Sequence, residues 1–190
     1  MYFSPDAWWG AEAKPSEMLL IVRQFALASE RKLKLFVAAC REQIGQSVVE
    51  IDDLARRMGG MLTLARAWTD AHSEANSQPA ILRDLFGDPW HPVIRADVYR
   101  QRQEDRQLDP RIQRVWRRLD WHIFPLDWLS DPVVGIARSI DEDGDFSILP
   151  ILGDALQDAG CNDEMILRHC RQGQHHYRGC WLIDGILGLS

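Results

Sequence analysis

Apolar residues recur at steps of three and four along nearly the whole chain, and no stretch alternates apolar and polar positions as a half-buried strand would. Ser16 is placed to cap a first helix running to about residue 28, with Met18, Leu19, Val22 and Phe25 inward. Ser29 caps a second, in which Leu33, Phe36, Val37, Cys40 and Ile44 share a face that Gly45 ends. Ser47 and Glu50 have capping-box spacing ahead of Val48, Ile51, Leu54, Ala55 and Met58, and Gly59-Gly60 stops that helix. Met61, Leu64, Ala65, Trp68 and His72 line the next. Pro79 opens a short helix carrying Ile81, Leu82, Leu85 and Phe86, closed by Gly87. The two prolines of Asp88-Pro89-Trp90-His91-Pro92 hold that stretch in extended or turn forms. Asp109-Pro110 then caps a helix with Ile112, Val115, Trp116 and Leu119 as a narrow stripe. Phe124 to Trp128 is a connector, and Asp131-Pro132 starts a helix with Val133, Ile136, Ala137 and Ile140 inward.

The last segment, 145–190, is the most sharply punctuated. Asp145 or Ser147 caps a helix with Pro150 in its first turn and Leu149, Leu152, Ala155, Leu156 and Ala159 on one face, and Gly160 stops it. Asn162 is a second N-cap, with Met165, Ile166, His169 and Cys170 inward and Gly173 as the end. A final helix from about Gly179 to Leu187 is almost wholly apolar, so it is buried or covers a partner. The pattern predicts an all-α fold of about nine or ten helices, as a compact bundle or a short irregular solenoid. One domain is expected over 1–190, with an N-terminal arm at 1–15, a helical insertion at 94–125 and the C-terminal segment at 145–190.

Composition narrows the class. A chain of 190 residues with 46% hydrophobic and 26% charged residues has an ordinary soluble make-up. No apolar run approaches the roughly 20 residues of a membrane span, and no basic n-region with an apolar run marks a signal peptide. A cytoplasmic location without membrane contact is the expectation. There the four cysteines are expected as buried thiols or metal ligands, not disulfides. The net charge of −6 argues against a whole-surface nucleic-acid binder.

Several stretches together resemble an uncharacterised family of helical proteins found in many copies in planctomycete genomes. They are Ser29 to Phe36 with Cys40, Ile81 to Pro89 with Pro92-Val93, Leu149 to Leu152, Asp154 to Leu156, Asp158 to Cys161, His169 to Arg171, and His176 to Trp181 with Asp184 and Leu187-Gly188. The resemblance covers most of the chain and implies an architecture, without a reaction. The chain departs from the family pattern between the Pro-Val pair and Trp128, where about thirty residues intervene.

Four features bear on chemistry. Cys161, Cys170, His176 and Cys180 supply the N and S donors of a tetrahedral zinc site, placed at a helix end, on a helix, in a loop and at a helix start. His169 is an alternative to Cys170, since adjacent helical residues point about 100° apart. The C-x-x-C and H-x-x-x-H pairs usual in metal sites are missing, and the plain alternative is buried thiols beside surface histidines. A thiolate nucleophile, Cys170 or Cys180 with His176 and Asp184, is a weaker alternative without a hydrolase motif around it. Arg100, Arg102, Arg106, Arg111, Arg114, Arg117 and Arg118 face only Glu104, Asp105 and Asp109, a local charge of +4 with Tyr99 and Trp116 interleaved. Guanidiniums bind phosphate bidentately and stack on bases, so RNA or DNA contact is one reading and a solvated helix face the other. Asp141 to Asp145 alternates like an EF-hand loop, but Phe146 and Leu152 occupy its glycine and glutamate positions, leaving an acidic turn.

No catalytic set is complete, and no P-loop or dinucleotide fingerprint marks a small-molecule substrate. The expected function is therefore a non-catalytic accessory subunit that binds another protein, with Trp8, Trp9 and Trp116 as anchors. The alternatives are a nucleic-acid-binding accessory protein using the arginine run, and a helical module stabilised by zinc at the Cys/His set.

Overall fold

The computed structural model describes residues 13–24, 27, 29–45, 51–72, 77–105, 110, 113–114, 117 and 119–189. These residues form ten α-helices and one two-stranded sheet. The all-α expectation holds. Trp8, Trp9, Trp116, Arg106, Arg111, Arg118, Phe25 and the Ser47–Glu50 capping box lie outside the described residues.

The N-terminal half is α1 (Pro15–Gln24), α2 (Glu30–Gln43), α3 (Ile51–Arg57), α4 (Met61–Ala71) and α5 (Gln78–Phe86). Ser29 caps α2 as expected, its Oγ accepting from the Lys32 backbone N–H at 3.2 Å. Met18, Phe36, Val37, Leu64, Leu82 and Leu85 meet in one apolar cluster. Cys40 joins it as a small core residue, while Ile44 caps the end of α2 and is exposed.

A second apolar cluster fills the C-terminal half, which comprises α7 (Asp131–Asp143), α8 (Leu149–Asp158), α9 (Glu164–Arg171) and α10 (Trp181–Leu187). Gly144 ends α7 in the left-handed conformation, so the acidic run is a helix end. The N-cap of α9 is Asp163, one residue after the expected Asn162: its Oδ1 accepts from the Met165 and Ile166 backbone N–H groups at 2.9 and 3.0 Å. Asp163 Oδ2 also lies 2.7 Å from His122 Nε2.

Between the halves the structure adds strands that the pattern did not predict. β1 (Val93–Arg95) and β2 (His122–Phe124) pair in parallel, with Val93 opposite His122 and Arg95 opposite Phe124. Three residues are too few to show an alternation. The strands follow Pro92 and precede Pro125, which holds Phe124 in the extended region. The segment 94–125 therefore leaves and returns at adjacent positions, with α6 (Ala96–Glu104) in the crossover. Phe124 is fully buried in the C-terminal cluster, edge-on to Trp128.

Candidate metal centre

The two apolar clusters do not merge into one oily core. Their boundary holds Lys32 from α2, Asp84 from α5, His169 from α9 and Asp184 from α10, four of the six buried polar or charged residues described. A buried polar group must find partners in the protein, and these do so across the boundary.

Asp84 sits on the face of α5 that also buries Ile81 and Leu85. Its Oδ2 accepts the Tyr177 backbone N–H at 2.7 Å, and its Oδ1 accepts from His176 Nδ1 at 2.7 Å. The His176 ring is 4% exposed, and its Nε2 is buried without a partner. His169 Nε2 lies 3.0 Å from Cys180 Sγ and 3.8 Å from Asp84 Oδ1. The His169 and His176 rings meet edge to face at 4.7 Å between centroids. One ligand atom from each of Asp84, His169, His176 and Cys180 lies within 4.8 Å of the other three.

These spacings suit a metal ion. With Zn–S near 2.3 Å and Zn–N or Zn–O near 2.0–2.1 Å, tetrahedral donors sit about 3.3–3.6 Å apart, so donors spread over up to 4.8 Å would draw together to close around one ion. The surrounding contacts fit as well. The Tyr177 amide holds the free oxygen of Asp84, and the Gln174 amide lies 3.2 Å from His169 Nδ1. The atom facing the ring is Gln174 Nε2, a donor; only after an amide flip that exchanges it for Oε1 would Gln174 accept the Nδ1 proton and leave His169 Nε2 as a ligand.

Without an ion the interior is hostile to charge. Burial pushes the His169 imidazole down to about 4, against the opposing pull of Asp84, so the ring is neutral at physiological pH. Burial also raises the Cys180 thiol well above its usual range, and the nearby Asp84 adds to the effect. A cation placed among these groups reverses that logic, since a coordinated thiol gives up its proton.

Of the sequence-derived zinc set, the structure brings His176 and Cys180 into this group and completes it with Asp84 and His169. Cys161 and Cys170 are buried in the C-terminal apolar cluster. Cys170 packs where α9 crosses α8: a Cβ on Gly153 would stand 2.8 Å from Cys170 Cβ. Burial pushes the Cys170 thiol up to about 12 and raises Cys161 too. His169 was visible in the sequence as the alternative to Cys170. Asp84 was missed, although an acid between Ile81, Leu82 and Leu85, on a short apolar helix, is the signal that could have found it.

The nucleophile reading loses its third member, because Asp184 is committed elsewhere. Its Oδ2 is 2.6 Å from Arg31 Nη1 and 2.7 Å from Lys32 Nζ. Lys32 also donates to the Leu85 and Gly179 carbonyls, at 2.5 Å each, so all three ammonium protons have acceptors. Gly179 holds its carbonyl there at φ +86°, where a Cβ would be strained and would lie 2.6 Å from Leu35 Cδ1, so glycine is favoured. Of the arginine run, Arg100 and Arg102 lie on α6, and Arg100, Arg114 and Arg117 are exposed. Compared with family models, curated proteins and solved structures, the chain matches none, so the reading of this site rests on its own residues.

Proposed function

We propose that this chain is a non-catalytic helical module whose two halves are stapled by a zinc ion held by Asp84, His169, His176 and Cys180. The observation that carries the reading is the convergence of four side chains with metal-binding donor atoms, from α5, α9, the loop after α9 and the N-cap of α10, at the buried boundary between the two apolar clusters. A mixed thiolate, imidazole and carboxylate set favours zinc over the hard cations magnesium and calcium. Four protein ligands leave no open position for substrate, which marks a structural site rather than a catalytic one. The burial of Cys180 supports the same reading, because a nucleophile must be reached and ionised. Such a module serves as an accessory subunit that presents its surface to another protein.

The test is metal analysis of the full chain expressed with zinc. Wild type, Cys161→Ser and Cys170→Ser are expected to hold close to one zinc each, and Cys180→Ser close to none. Chelation is expected to lower the melting temperature of wild type. A metal-free wild type indifferent to chelator would overturn the reading.

A further inference from the structure

A cavity of about 480 Å³ lies between the two halves, with Asp84 and His169 of the metal centre in its wall. Val93, Met165 and Trp181 give it apolar surface, and two guanidiniums line it: Arg83 from α5 and Arg168 from α9. A solute can reach both, since Arg168 is exposed and Arg83 half-buried. Burial pushes the Arg83 guanidinium down, so water is partly stripped from a group that stays charged. No described residue supplies an acceptor to the Arg168 side chain. The other ionisable groups of the cavity are Asp84, Asp88, His91, His169 and His175. Both acids are engaged by donors of the protein itself. Asp84 accepts from His176 Nδ1 and the Tyr177 backbone N–H. Asp88 accepts from the Trp90 backbone N–H and lies 2.9 Å from His91 Nδ1. The formal charges of two arginines and two aspartates cancel, but the hydrogen-bonding capacity does not: the acids are occupied and Arg168 is not.

We propose that this cavity binds a small monocarboxylate with an apolar body, its carboxylate held by Arg168 and Arg83. Charge selects the class. A planar guanidinium takes a carboxylate through two parallel hydrogen bonds, and one unengaged guanidinium matches one negative charge. The second charge of a phosphate monoester would face Asp84 and Asp88, and a cation would meet two arginines and two acids already supplied with donors. Size admits the body. The volume lies within the roughly 300–1,000 Å³ of small-molecule sites, and Val93, Trp181 and the adaptable Met165 side chain offer it apolar contact. A ligand bound to Arg83 and Arg168 together joins α5 of one half to α9 of the other. The proposal does not need the zinc ion, because neither arginine belongs to the ligand set and both Asp84 oxygens already have donors.

Fluorine NMR on the full chain tests it with a series alike in shape: para-fluorobenzoate, para-fluorobenzamide, para-fluorobenzylamine and para-fluorophenyl phosphate. Saturable binding is expected for the benzoate. Loss of the charged hydrogen bonds should make the neutral benzamide about tenfold weaker or more, and the benzylamine should not saturate. The phosphate should bind no more tightly than the benzoate. Acetate, which lacks the apolar body, should displace the benzoate only at concentrations about tenfold higher or more. Arg168→Gln should weaken benzoate binding about tenfold and keep the wild-type circular dichroism, whereas Arg138→Gln, the same charge change at an exposed position of α7 outside the cavity, should leave it unchanged. No saturable benzoate binding would overturn the proposal, as would equal binding of benzoate and benzamide, tighter binding of the phosphate, acetate competing on equal terms, or equal losses in the two variants. The ligand series needs no variant, so a misfolded Arg168→Gln would leave the proposal falsifiable.

Discussion

Lys32→Met asks what the polar seam contributes to holding the halves together. The substitution keeps the length and apolar stem of the side chain and removes three hydrogen bonds: to Leu85 O, Gly179 O and Asp184 Oδ2. Burial pushes the Lys32 ammonium down, opposed chiefly by Asp184, and each of its three protons has an acceptor within reach. Removing one partner of a buried ion pair costs about 3–5 kcal/mol. Two buried carbonyls also lose their donor, at about 1–3 kcal/mol for each group left unsatisfied. Against this, Arg31 stays on Asp184 at 2.6 Å, so the carboxylate is not stranded. The expected loss is therefore about 3–5 kcal/mol, not the full sum. Asp184→Asn should cost about as much, and the double variant should cost less than the two singles together by about 1–3 kcal/mol. Urea unfolding followed by far-UV circular dichroism at neutral pH, with the m-value unchanged, measures all three. A loss below about 1 kcal/mol for Lys32→Met, or strict additivity of the singles, would show that the seam does not bind the halves as argued.

Further outcomes follow from the same geometry and need only stability or reactivity measurements. Gly179→Ala combines left-handed strain with overlap on Leu35 and Leu85 and should cost about 3 kcal/mol, whereas Gly160→Ala, at φ +92° in open space, should cost only about 1; equal losses in urea melts would remove the packing argument. Gly153→Ala should destabilise, although alanine is the better helix former by about 1 kcal/mol, because the new Cβ meets Cys170 Cβ at 2.8 Å; a higher melting temperature would contradict that close crossing. Burial pushes the Cys40 thiol up to about 12 from an ordinary 9.0, so above the ordinary value only the unfolded chain gives up this proton and stability falls as pH rises. Between about pH 8 and about pH 10 this is worth about 1.4 kcal/mol, and Cys40→Ala should lose stability less steeply over that range. All four cysteines are buried, so a thiol reagent should label them only at the rate of opening, and fast labelling of one in native protein would refute its placement.

The fold was legible where the pattern is long. Helices α2, α4, α7 and α8 carry four or more apolar residues at helical spacing, and their ends carry Ser29, Gly45, Gly60, Gly144 and Gly160 as punctuation. The strands were illegible because Val93–Arg95 and His122–Phe124 are defined by each other, across an excursion that sequence cannot close. The site was half legible. His176 and Cys180 stand out by residue type near the chain end, but their companions come from elsewhere, and Asp84 lies 92 positions before His176. Spacing rules detect ligands that one short segment supplies, and here the set is divided between the halves. Lys32 was hidden for a related reason: a lysine on an apolar helix face reads as a stem lying over the core with its head in water. Nothing within α2 reveals that the Asp184 carboxylate and two carbonyls await it.

The terminal helix shows how these parts depend on one another. Its nearly continuous apolar run suggested a buried or partner-covering element, and the burial of Leu182, Ile183 and Ile186 decides for the interior. Yet over six residues this stretch also delivers the Gly179 carbonyl to Lys32, the Cys180 thiol to His169, the Trp181 ring to the cavity wall and the Asp184 carboxylate to Arg31 and Lys32. Apolar contacts alone are indifferent to small slips of a short helix, because methyl groups repack at modest cost. Four directional contacts are not: a slip of one residue turns each group by about 100° and rises about 1.5 Å, breaking all of them together. The polar residues therefore fix the register of α10 against both halves, and the apolar ones supply the burial that keeps it there.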